Sequence, residues 1–68
     1  MIVSFKAAGI VNNLDAIRDE FTAIGKYRQN SRSADEVIVS CSADLSAPEQ
    51  SDIIAWGEAL GYVVTVTP

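Results

Sequence analysis

The sequence has no histidine, one cysteine, and no lysine or arginine after residue 32. Each gap removes a class of function. Without histidine there is no Ser-His-Asp device, and no imidazole to activate a thiol. A lone cysteine, Cys41, forms no internal disulfide, and no Cys/His cluster exists to hold zinc or an iron–sulfur centre. No metal and no cofactor are therefore expected. No apolar stretch approaches the roughly 20 residues that span a bilayer. The opening Met-Ile-Val-Ser-Phe-Lys lacks the basic start and long apolar run of a signal peptide. The expected compartment is the cytoplasm, with no membrane contact. Gly9, Gly25, Gly57 and Gly61 match no phosphate-binding spacing.

What is present suits one small globular domain over residues 1–68. Apolar residues make up 49% and charged residues 21%, a balance that excludes a disordered tail. A core of this size rarely supplies more than roughly 3–5 kcal/mol, so a partner or a second copy of the chain is expected to contribute. Charge is unevenly divided. Residues 1–32 carry five basic side chains against three acidic ones, a net of +2, whereas residues 33–68 carry six acidic and no basic ones. The total of −4 argues against nucleic-acid binding, which draws its affinity from neutralising phosphates. It leaves open a basic partner protein meeting the C-terminal half.

Periodicity predicts β-α-β-α-β: a three-stranded sheet with two helices on one face, an α/β two-layer sandwich. Residues 2–7 alternate, with Val3, Phe5 and Ala7 on one face and Ser4 and Lys6 on the other. Leu14, Ile17, Phe21 and Ile24 then form a helical stripe, with Asn12 or Asn13 as the cap and Gly25 as the stop. The polar segment 29–35 reads as the longest loop. Residues 36–42 read as a strand with Val37, Val39 and Cys41 on one face. Ser46-Ala47-Pro48-Glu49 is a capping box, followed by a stripe of Ile53, Trp56 and Leu60 that Gly61 ends. Residues 62–67 form the last strand. Ser4, Lys6, Ser40, Ser42, Thr65 and Thr67 fall on the sheet face away from the helices, which is too polar for a core.

Few side chains are equipped for chemistry. Cys41 is the one strong nucleophile, but its register with Val37 and Val39 makes it a buried hydrophobe first and a reactive thiol second. Neighbouring acids such as Asp19 and Glu20 point in different directions and share no site. Lys26, Arg28 and Arg32, interleaved with Tyr27, are the one basic cluster and suit a solvated loop better than a phosphate clasp. Asp44, Glu49, Asp52 and Glu58 are the candidate acidic contacts for a partner. Trp56 suits the core better than an interface.

The run Glu36-Val-Ile-Val-Ser-Cys-Ser-Ala-Asp44, with Ser51-Asp-Ile-Ile-Ala-Trp-Gly-Glu-Ala-Leu-Gly-Tyr-Val-Val64, resembles the second half of the TusA/SirA-like sulfur carriers. Those proteins carry Gly-Leu-x-Cys-Pro-x-Pro before the first helix, and that cysteine bears the persulfide. Here the stretch reads Gly9-Ile-Val-Asn-Asn-Leu-Asp15, with Asn12 at the cysteine position and no proline. The resemblance thus implies a shared scaffold without the transfer chemistry, and without the fourth strand that the family usually has. Two functions remain. The first is a non-enzymatic protein-binding module, working through an unpaired sheet edge on a partner or on a second copy as a homodimer. Size and charge make it the kind of regulator or inhibitor that phages and mobile elements direct at host proteins. The alternative is a divergent sulfur carrier that uses Cys41.

Overall fold

Val3 and Phe5 point to one side of the first strand and Ser4 to the other, and the layers of the molecule follow from that alternation. The computed structural model describes all 68 residues. In chain order they form β1 (Ile2–Lys6), α1 (Leu14–Ala23), β2 (Tyr27–Arg32), β3 (Glu36–Cys41), α2 (Ala47–Ala59) and β4 (Val63–Thr67). The sheet order is β2-β3-β1-β4, with every neighbouring pair antiparallel. Each helix therefore crosses over one intervening strand, which is the split-βαβ arrangement.

This corrects the expected three-stranded β-α-β-α-β outline. Most of the segment expected to be a loop at 29–35 is strand β2, and it pairs with β3 from Gln29↔Ser40 to Arg32↔Val37. Its sequence, Tyr-Arg-Gln-Asn-Ser-Arg, has no apolar face because it lies at the sheet edge. Backbone pairing with β3, helped by Tyr27 packing against the core, makes it a strand. A tight turn closes the hairpin, with Ser33 N–H donating to Glu36 C=O at 2.9 Å. The hairpin tip is fastened to the rest of the fold. Ala7 N–H donates to Asp35 C=O at 2.7 Å, and Val11 N–H donates to Ala34 C=O at 2.9 Å.

Both helices cover one face of the sheet, as the alternation requires. Val3, Phe5, Val37, Val39 and Cys41 meet Ile17 and Phe21 of α1 and Ile53 of α2 in a single buried cluster. Phe5 is its hub, edge-to-face with Phe21, Trp56 and Tyr62 at centroid distances of 6.0, 6.1 and 6.1 Å. Leu60 departs from the expected stripe and is 46% exposed. The inward position is taken by Gly57, where a Cβ would come within 2.5 Å of Val64 and 2.9 Å of Phe5.

The helix ends are closed as the sequence implies. In α2, Glu49 N–H donates to Ser46 Oγ and Ser46 N–H to Glu49 Oε1, completing the capping box. Both helices end in Schellman motifs, with Gly25 and Gly61 at positive φ. Lys26 N–H reaches back to Phe21 C=O and Tyr62 N–H to Gly57 C=O. The start of α1 differs. Asn13 occupies the cap position, but its side chain makes no cap bond and instead accepts from Tyr62 Oη at 2.5 Å.

Candidate functional site

The sheet has two edges of opposite character. Along any strand, successive residues turn their N–H and C=O groups to opposite sides. Cys41 N–H donates to Met1 C=O, and Ala7 N–H to Asp35 C=O, so the odd-numbered residues of β1 serve β3. The even ones serve β4 through the pairs Ile2↔Thr67, Ser4↔Thr65 and Lys6↔Val63. Val64 and Val66 are left with both main-chain groups directed outward from the sheet. The strand that presents them, Val-Val-Thr-Val-Thr, has no charge, no proline and no bulge. Edge strands that are not meant to pair usually carry one of these guards.

The β2 edge has two of them. Its register shifts between Tyr27 and Gln29, which marks a bulge at Arg28, and both Arg28 and Arg32 lie on it exposed. Asn30 faces the helix side and holds Tyr27 Oη, a bond within the strand itself. One edge is blocked and the other is open.

Between the edges lies the face that no helix covers. Its rows run Thr65-Ser4-Ile38-Ser31 and Thr67-Ile2-Ser40-Gln29 across the four strands, with Val63, Lys6 and Glu36 at one end. Ser4 Oγ donates to Glu36 Oε2 at 2.5 Å, and Lys6 pairs with Asp35 at 3.5 Å. Val63 is 68% exposed and Ile2 is also exposed. Apolar exposure on this face therefore concentrates next to the open edge.

The acidic candidates do not form one patch. Asp44, Glu49 and Asp52 gather at the start of α2, whereas Glu58 is nine residues beyond Glu49, about 13 Å along the axis. Glu49 is already occupied. Lys26 Nζ lies 2.5 Å from its Oε1 and 3.0 Å from Asp44 C=O. The hydrogen bond from Lys26, with the one from the Ser46 backbone, holds the Glu49 carboxyl below its usual range. Asp52 and Glu58 are exposed and make no ion pair, so they are the available negative charges.

The basic candidates are dispersed for the same reason. Lys26 is tied to α2, Arg28 stands at the bulge, and Arg32 Nη2 donates to Val11 C=O at 2.7 Å. Arg32 also lines the one concavity, a shallow space of about 470 Å³ at the start of α1 with Asn12, Asn13, Leu14, Asp15 and Ala16. Asp15 places a carboxylate in that space. No three basic groups face one phosphate.

Cys41 is 8% exposed, and burial raises its pKa above the ordinary thiol value. Its side chain packs in the core cluster beside Val37 and Val39. Asn12 is exposed and lines the concavity. No three His, Cys, Asp or Glu side chains come together to hold a metal ion, and no helix is long and apolar enough to cross a membrane.

Sequence reasoning pointed to an unpaired edge without saying which one. The available signal was the contrast between two edge strands, one charged and one free of charge, and it needed the strand order to be read. No family model, no curated protein and no solved structure matches the chain.

Proposed function

We propose that this chain is a non-enzymatic protein-binding module that regulates or inhibits its partner, and that it binds through the β4 side of the sheet. The observation that carries the reading is the outward-facing backbone of Val64 and Val66 on an edge strand with no guard. An incoming strand would satisfy those four polar groups and extend the sheet. Exposed Val63 and Ile2 supply apolar area beside the edge, and Asp52 and Glu58 supply negative charge on the helix packed over it. A phage-type or mobile-element regulator is the setting that fits the size and the −4 charge. The alternative of sulfur carriage through Cys41 has no such support, because its thiol is buried and burial raises its pKa.

The test compares cross-linked capture of partner proteins by the wild type and two folded variants. Thr65→Lys puts a charge on the open edge while keeping its backbone bonds to Ser4. Ser31→Lys does the same on the guarded edge. The reading expects T65K to lose the captured protein and S31K to keep it. Equal capture by all three proteins would remove the β4 side from the proposal.

A further inference from the structure

We infer that the occupant of the β4 edge is a second copy of this chain, paired antiparallel about a two-fold axis at Thr65. The inference rests on the reading of β4 as the binding edge and adds what binds there. Residues 64–66 read Val-Thr-Val, the same in both directions. In an antiparallel pair centred on Thr65, Val64 of each copy faces Val66 of the other. Those are the residues whose N–H and C=O groups point outward, so the symmetric register converts every free group of that stretch into one of four interchain bonds.

The side chains agree with that register. Val64 and Val66 pack on the helix side, where they border the core cluster, so the two Val–Val contacts extend an existing apolar layer. Thr65 meets its own copy on the uncovered face, and threonine pairs are favourable cross-strand neighbours. Val63 meets Thr67 at both ends. No charged residue of the strand meets a like charge, which a self-complementary contact requires of a chain with net charge −4. The product is a closed dimer with an eight-stranded sheet in place of two four-stranded ones.

Area and charge set the strength. Five edge residues per copy fall below the roughly 1,200 Å² of a standard interface, so the dimer is weak and concentration-dependent. The two α2 helices bring acidic surface with them, so added salt screens their repulsion and strengthens the dimer. A basic partner protein at the same edge would show the opposite salt dependence.

The experiment is sedimentation equilibrium of the whole chain from micromolar to millimolar concentration, at low and high salt, with backbone NMR of the same samples. The inference expects a monomer–dimer equilibrium that tightens with salt, with the Val64 and Val66 amides gaining exchange protection as concentration rises. It also expects T65K to weaken association up to about fivefold, since like charges then face each other across the axis, and S31K to leave it unchanged. A monomer at millimolar concentration with fast-exchanging Val64 and Val66 amides overturns it. So does a dimer that T65K does not weaken. Either result leaves the proposed function to be decided by its own capture comparison, in which a T65K-sensitive partner would keep β4 as a binding edge for a different protein. Chemical shifts that match the wild type away from residue 65 show that each variant is folded.

Discussion

A Cβ built on Gly57 would lie 2.5 Å from Cγ2 of Val64, closer than any two such carbons approach. Helix α2 and strand β4 meet at this point, and the glycine lets them do so. A Cβ there would also come within 2.9 Å of the Phe5 ring.

Gly57→Ala is therefore expected to lose stability although alanine is the better helix former. Propensity favours alanine by about 1 kcal/mol, and overpacking costs about 1–3 kcal/mol. The net expectation is a loss of up to about 2 kcal/mol, read as a lower urea midpoint with an unchanged slope. Gly57→Ala and Val64→Ala together should cost less than the sum of the two single changes, because the closest clash is with that methyl group.

Much of the fold was legible because local signals and burial agreed. Val3 and Phe5, the 17/21 pair of α1 and the Ser46–Glu49 box each announced their element, and each is where expected. Strand β2 was not legible. Its residues have no apolar alternation, and what makes them a strand is the ladder to β3, which is information held by another segment. Leu60 misled for a related reason: the helical stripe marks a face, but close approach by β4 makes Gly57 the innermost residue there. The site was legible only as charge and as an unspecified edge. Lys26 and Glu49, assigned to opposite candidate patches, neutralise each other across 23 residues of sequence.

That pair gives an acid-side prediction. Glu49 titrates below its ordinary value of 4.5 in the folded chain, so its contribution is present above the unfolded pKa and is lost as pH falls through the folded one. Glu49→Gln should flatten the fall in stability below about pH 4.5 and leave the neutral-to-alkaline profile parallel to the wild type. Thermal unfolding followed by circular dichroism across that range checks it. At neutral pH, Ser46→Ala should cost about 1 kcal/mol by removing the other half of the box.

The Tyr62–Asn13 bond makes a prediction of redistribution. In Tyr62→Phe, the Asn13 side chain loses its donor and becomes free to cap α1, where the N–H groups of Asp15 and Ala16 lack a side-chain acceptor. The variant should lose less than the about 1 kcal/mol of a typical hydrogen bond. Hydrogen exchange at Asp15 and Ala16 should slow. Asn13→Ala, which removes both possibilities, should be the more damaging change.

Cys41 should resist alkylation in the folded protein. Its burial limits reagent access, and the raised pKa lowers the fraction of thiolate. Reaction with a disulfide reagent at neutral pH is expected to be slower than in the urea-unfolded chain by about a hundredfold or more. A rate close to the unfolded one would return the thiol to consideration as a sulfur-handling group.

The unequal edges of the sheet also set a limit on growth. A sheet with two open edges can add strands at both sides, and copies of it propagate into fibres. In this molecule the bulge at Arg28 and the arginines of β2 terminate one side. Whatever strand docks on β4 uses up the only growing end. Assembly through this fold is thus finite by construction: a copy that pairs becomes, from outside, a particle with guarded edges alone.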